Sequence, residues 1–450
     1  MKKSLQVLTV ALLLTATAQA QWVQQPFSFT QPNNVPLYLD AVDNNTAWAL
    51  SSGLLSQNGT ADNEVARTFD GGQNWTVIAI PAIDLADETI QSISAISATT
   101  AWVVTLRGSA ACRVFKTTNA GATWTVQSTP DMFNRPDSWP NTIHFFNANE
   151  GVVMGDPDGL NGGGMEIYYT SDGGATWTRS VGVPVGTADE FGTPFPPATV
   201  GSSIWFPNDA GDIFRSTDKG ATWTVSRKVD PMQIENIAFR DEQNGLAAVA
   251  SPTTTSHTLY RTTDGGTTWN TLSYAGPLHG WGMDNVPGTN TYISVGLDYG
   301  NGDAGSSFSR DNGLTWTSIE SSLNHLFVDA AGPTAVWSGA VDGQTGNARG
   351  ANKLTSTVLP TTKATALVLG ASLSPNPSSG RFRVQWPAAA HAGPATLTVF
   401  DALGRQVLRQ PFEASRTAGL DLDLSQQPAG LYQVRLESGA GLSQLRAQVQ

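Results

Sequence analysis

Thr68-Phe69-Asp70-Gly71-Gly72-Gln73-Asn74-Trp75 decides the architecture, because the same octet returns along the chain. The second copy is Thr117-Thr118-Asn119-Ala120-Gly121-Ala122-Thr123-Trp124, and further copies begin at Thr170, Ser216, Thr262 and Ser309. Each has Asp or Asn in third place (Asp70, Asn119, Asp172, Asp218, Asp264, Asp311) and Trp in eighth (Trp75, Trp124, Trp177, Trp223, Trp269, Trp316). A side-chain oxygen at the third place can accept backbone N–H groups a residue or two onward and close a turn. The fifth-place glycine permits positive φ. The indole then opens the next strand and covers the hairpin. The tryptophans lie 49, 53, 46, 46 and 47 residues apart, an interval that fits four short strands and their turns and signals a propeller-like array.

A second recurring element counts the units. Short apolar runs occur at Asn45–Leu50, Thr100–Val104, Glu150–Met154, Ser203–Phe206, Asn244–Val249, Asn290–Val295 and Pro333–Trp337. Such runs suit strands packed on both faces. Seven of them against six octets predict seven blades, the last lacking its octet near Gly343–Asn352; six blades with irregular ends is the alternative. Ring closure is expected from Trp22-Val23 or Phe27-Ser28-Phe29 pairing with the last blade.

The octet resembles the Asp-box, or BNR repeat, of sialidases, xyloglucanases, sortilin-type receptors and photosystem assembly factors. The resemblance implies a box joining the third and fourth strands of each blade, away from the ligand face. The pairing of octet and apolar run is more similar to the photosystem-assembly-factor repeat than to the sialidase one. The six Asp or Asn residues and six tryptophans above are therefore read as structural.

Composition agrees. The 450 residues hold 45 Gly and 25 Pro, and only 14% are charged, which argues against helical bundles and suits many strands with tight turns. A net charge of −12 makes nucleic acid an unsuitable partner. One cysteine excludes a disulfide framework. Five scattered histidines give no zinc spacing, and neither a metal nor a cofactor is expected. Asp156-Pro157-Asp158-Gly159-Leu160-Asn161 only loosely follows a calcium loop.

Both ends read as addresses. Lys2 and Lys3, the apolar run Leu5–Leu14 and Ala18-Gln19-Ala20 form a signal peptide, 1–20, cleaved after Ala20. Residues 21–353 are the propeller and 354–370 a Thr-rich linker. Residues 371–450 alternate apolar and polar side chains between Gly and Pro, predicting a small Ig-like β-sandwich. This tail carries seven Arg against five acidic residues, whereas 21–370 carries 16 basic against 32 acidic. Its Ser374-Pro375-Asn376-Pro377, Val399–Arg405 and Pro428–Tyr432 segments resemble the type A C-terminal sorting domain of the type IX secretion system. The resemblance implies that machinery as a partner, and a secreted or outer-membrane-surface location on a Gram-negative bacterium. No stretch is apolar enough for a transmembrane helix, and a monomer is expected.

Ligand contacts are expected on the rim opposite the boxes, from loops 51–63, 129–140, 155–165, 183–197, 251–257, 272–282 and 296–305. Arg135 with Trp139, His279 with Trp281, and Asp298 with Tyr299 combine rings and charge suited to sugars or cationic peptide groups. The favoured reading is a non-catalytic propeller binding glycan or protein. The alternative is a glycoside hydrolase with carboxylates among Asp131, Asp137, Asp156, Glu190 and Asp298; the sialidase arginine element is absent, and one propeller cannot form the xyloglucanase cleft. Arg67, Arg215 and Arg261 precede boxes and belong to strands facing away. Cys112, in an apparent strand, reads as a buried small hydrophobe.

Overall fold

Among the described residues every element is a strand, and every ladder within the sheets is antiparallel. A computed structural model describes residues 22–31, 33–53, 61–108, 111–135, 138–157, 164–184, 190–226, 234–251, 253–355, 371–386, 394–401, 406–413, 419–438 and 441–450. Residues 1–20, where a signal peptide is expected, most of the expected linker, Asp137, Asp158 and Asn161 lie outside the described residues. The chain divides into two units, Met1–Leu359 and Pro360–Gln450.

In the first unit the described residues form seven four-stranded sheets, and six follow chain order. The first is Val35–Ala41, Ala47–Ser52, Glu64–Thr68 and Thr76–Ala79. The seventh, His325–Gly332, Ala335–Val341 and Ala348–Leu354, takes its fourth strand from the other end of the unit: Trp22–Gln25 pairs with Ala348–Leu354 in the register Trp22 to Leu354. Each sheet packs on its successor, and the seventh packs on the first. The result is a closed β-propeller. Phe27 and Phe29 do not supply the closing strand; Phe27 stacks on Trp75 at 4.5 Å.

The octets close differently from the simple turn expected. Asp172 Oδ1 accepts the N–H of Thr176, four residues on, at 2.8 Å, while Thr176 Oγ1 donates to Oδ2 at 2.6 Å. The threonine two places before the acid does the rest. Thr170 Oγ1 donates to Asp172 Oδ1 at 2.9 Å and accepts the Gly174 N–H at 3.0 Å. Gly174 sits at φ +90°, where a Cβ would strain the backbone. Asn119 uses its one oxygen equivalently, accepting the Thr123 N–H at 2.9 Å. The first five boxes dock on the first hairpin of their own sheet, as Gly173 N–H does on Asn149 O at 2.7 Å.

The box tryptophans are buried or half-buried at the seams between sheets. Trp102, on the second strand of the second sheet, stacks on Phe145 of the third at 3.6 Å, and Trp177 closes edge-on over the same ring. Trp205, Phe239 and Trp269 repeat this between the fourth and fifth sheets. A cation covers the other face of the inner indole. Lys116 Nζ lies 4.7 Å from the Trp102 ring and donates to Gly173 O of the next box at 3.0 Å, as does Trp102 Nε1 at 3.1 Å. Arg67 similarly sits over Trp48 and donates to Ala98 O and Ala120 O. Arg67 and Lys116, which precede boxes, are thus clamps between sheets, a role the sequence alone did not assign to them.

The second unit has a three-stranded sheet (Ser372–Ser374, Arg381–Gln385, Gly419–Asp423) and a four-stranded one (Pro394–Phe400, Gln406–Glu413, Gly430–Ser438, Gly441–Val449). Alternate residues Phe382, Val384, Leu397, Val399, Val434 and Leu436 share one core, as period-two patterning requires.

Candidate functional site

Antiparallel order sends the box hairpins to one rim and the connections between second and third strands, with those between sheets, to the other. On this second rim, at the fifth and sixth sheets, lies a cavity of about 320 Å³ lined by Glu235, Val249, Ala250, Ser251, His257, Gly280, Trp281, Leu297, Tyr299, Asn301 and Asp303. Its frame is a carboxylate between two imidazoles. Asp303, nearly fully buried, lies 3.0 Å through Oδ1 from His279 Nδ1 and 3.3 Å through Oδ2 from His257 Nε2. The Gly280 N–H donates to Oδ2 at 3.0 Å. His257 Nδ1 accepts the Ser251 N–H at 3.0 Å. Burial alone would raise the Asp303 carboxyl, but the two imidazoles and the Gly280 N–H outweigh it and hold it at about 2. The close approach needs Gly296, since a Cβ there would fall 1.7 Å from Asp303 O.

Above this frame stand Trp281 and Tyr299, edge to face with centroids 5.7 Å apart. Tyr299 is half exposed, and Trp281 Nε1 is buried with no hydrogen-bond partner among the described residues. Glu235 completes the wall. Burial pushes its carboxyl up, the nearby His257 opposes that shift, and no hydrogen bond to the carboxylate contributes.

The structure brings Trp281 and Tyr299 together over the frame that His279 supports, with Arg135 and Trp139 outside the cavity lining. Arg135 and Trp139 belong to the connection into the third sheet and are not among the residues lining this cavity. His279 is buried and tied to Asp303, a strut where an accessible imidazole was expected. Asp298 lies beside the cavity and caps its own loop, accepting the Gly302 and Gly300 N–H groups, which hold its carboxyl below the usual range.

The carboxylates considered for hydrolysis are similarly committed. Asp156 is buried, accepts Asn141 Nδ2 at 2.7 Å and Gly192 N–H at 2.8 Å, and is raised to about 6 by burial against those bonds. Glu190 is buried, with Asn208 Nδ2 at 3.4 Å. Asp131 is exposed and held low by Thr129. Among the described residues no group of three or more His, Cys, Asp or Glu side chains could hold a metal.

Three acids that the sequence reading passed over line the central channel. Asp40, Asp284 and Asp329 sit on the innermost strands of the first, sixth and seventh sheets. Each accepts a backbone N–H from the next sheet around the ring: Ala95 at 2.7 Å, Ala330 at 2.9 Å and Ala41 at 2.5 Å. Burial pushes all three carboxyls up, with Asp329 adding repulsion on the other two. A cavity of about 110 Å³ there is lined by Tyr38, Asp40, Ser92, His144 and Asp329, among others.

Residues 372–449 match the family described as the secretion system C-terminal sorting domain. The tail is a sorting domain. It implies handling by the type IX secretion system and delivery to the cell surface or beyond. Among solved structures, YCF48 bound to D1 peptide is similar with a TM-score of 0.52 at 15% identity, over 75% of this chain and 97% of that one. YCF48 from Cyanidioschyzon merolae gives 0.51 at 14%, over 75% and 99%. An ancestral GH74 enzyme gives 0.47 at 12%, over 96% and 64%. No curated protein matches the chain. The two YCF48 likenesses agree with the propeller fold, and among the described residues no helix is long and apolar enough to cross a membrane.

Proposed function

We propose that this chain is an exported, non-catalytic propeller of seven blades that binds a glycan or protein ligand in the cavity walled by Trp281, Tyr299, Glu235 and Asp303. Its domains run 1–20 (signal, cleaved after Ala20), 21–353, 354–370 (linker) and 371–450, and it acts as a monomer, secreted or held at the outer-membrane surface. The observation that carries the reading is convergence: two rings and two carboxylates share one cavity on the rim free of boxes, while the described carboxylates weighed for hydrolysis serve as clamps, turn caps or exposed acids. Apolar walls with a few placed polar groups are what binding sites generally offer. A solved relative in fold holds a peptide, which is in keeping with a binding role.

A hydrolytic reading would have to move to Glu235 and Asp303, whose carboxyls are pushed in opposite directions, the split expected of an acid and an ionised partner. The test is a glycan and peptide array with a parallel hydrolysis screen, using the mature protein and Trp281→Ala. Binding lost in the variant without turnover supports the proposal; turnover lost in Glu235→Gln refutes it. Separately, deletion of 371–450 should leave a folded propeller in the periplasm, and normal release of that truncation would refute the sorting assignment.

A further inference from the structure

Two carboxylates line the rim cavity, and they are in opposite states of satisfaction. Asp303 is surrounded by His257, His279 and the Gly280 N–H. Glu235 is half-buried, with His257 its electrostatic neighbour in the wall, and its carboxylate receives no hydrogen bond among the described residues. A half-buried carboxylate that lacks a hydrogen-bond donor and faces only an imidazole favours a ligand that brings its own positive charge and donors. Among the described residues no lysine or arginine lines the cavity. The remaining wall fits the rest of such a ligand. Val249, Ala250 and Leu297 give apolar surface for a methylene stem, and Trp281 with Tyr299 presents ring faces to a cation. At about 320 Å³ the space is at the small end of ligand pockets, enough for one side chain rather than several sugar rings.

We infer that the cavity seats the charged end of a lysine or arginine side chain presented by a partner protein, pairing it with Glu235 beneath Trp281 and Tyr299. This rests on the binding reading above and names its ligand class. The acidic body of the chain adds long-range attraction for a basic partner.

The test uses the mature full-length protein and fluorescein-labelled Gly-Lys-Gly and Gly-Arg-Gly peptides, with their acetyl-lysine and citrulline counterparts and a neutral cello-oligosaccharide, followed by fluorescence anisotropy and calorimetry. The basic peptides should bind, and acetylation or citrulline should weaken binding by on the order of tenfold, the value of one charge-assisted contact. Glu235→Gln should abolish the preference while leaving the unfolding midpoint in place, and Trp281→Leu should weaken both basic peptides. Equal binding of charged and neutral peptides, or an unchanged preference in Glu235→Gln, overturns the inference. Binding of the oligosaccharide without the basic peptides overturns it too but leaves the binding-module reading standing; a folded protein that binds none of the probes removes both.

Discussion

Replacing Asp329 with asparagine should stabilise the propeller at pH 7.5 and lose most of that advantage by pH 5. Burial lifts the Asp329 carboxyl from 3.8 to about 6 in the folded chain, against the opposing N–H groups of Ala41 and Ala330. A carboxyl raised on folding weakens the native state while ionised, and stability returns as pH falls through the folded value. A displacement of about two units corresponds to at most about 3 kcal/mol. Channel solvent screens part of this, and asparagine keeps an oxygen for the Ala41 N–H while giving up charge assistance of about 1 kcal/mol. A gain of about 1–2 kcal/mol is therefore expected at pH 7.5. Between pH 7.5 and pH 5 the natural protein takes up the proton and recovers about 1.4 kcal/mol from this group. Other groups titrate nearby: His144 is pushed down to about 4 by burial, His325 is lowered by burial despite Glu320, and Asp156 stands at about 6. They are common to both proteins and cancel in the difference, whereas Asp40 and Asp284 lose the repulsion of Asp329 in the variant, which adds to its gain at pH 7.5. Urea unfolding followed by tryptophan fluorescence at several pH values measures it. A variant less stable than the natural protein at pH 7.5, or a difference independent of pH, would refute the reasoning.

Trp205→Ala should cost about 3–5 kcal/mol, since Trp205 is fully buried on Phe239, whereas Trp139→Ala at a half-exposed ring should cost about half as much; equal shifts in the urea midpoint would contradict the seam assignment. Thr170→Val strands the buried Gly174 N–H and should cost about 1–3 kcal/mol, with Thr170→Ser close to neutral in the same assay. Burial pushes the Cys112 thiol up to about 11, so a thiol reagent at about pH 8 should label it only after denaturation; prompt labelling of the native protein would show an open site.

The fold was legible because its signal is local and repeated. Octet and apolar run recur at one interval, and each octet carries its own closing bonds, so the unit can be read without knowing its neighbours. Even there the reach of Asp172 was misread, because the contribution of Thr170 two places earlier is visible only once the backbone has turned. The site was half legible. Trp281 and Tyr299 stood out as rings in long loops, but their partners Glu235, His257 and Asp303 come from three connections that meet only when the fifth and sixth sheets pack. Arg135 and Trp139 looked as promising in sequence and lie on the connection into another sheet. The channel acids gave no signal at all: Asp40 and Asp284 read as ordinary polar positions of alternating strands, and their burial is a property of ring closure.

A reckoning of polar groups separates the two rims more sharply than residue type does. On the box rim both oxygens of Asp172 are occupied, by Thr170, the Thr176 N–H and the Thr176 hydroxyl, and the same arrangement recurs at Asp218, Asp264 and Asp311. The carbonyls beside them take Lys116 and the inner indoles. A surface whose acceptors are spent on its own backbone has little to offer a ligand, however acidic it looks. The cavity at the fifth and sixth sheets inverts this: Glu235 lacks a donor and Trp281 Nε1 lacks an acceptor among the described residues. Buried polar groups are seldom left unpaired in native proteins, so the buried Trp281 Nε1 calls for an incoming acceptor, and the half-buried Glu235 carboxylate beside it is open to an incoming donor. That is why the weight of the functional reading falls on Glu235 and Trp281 rather than on the more numerous acids of the boxes.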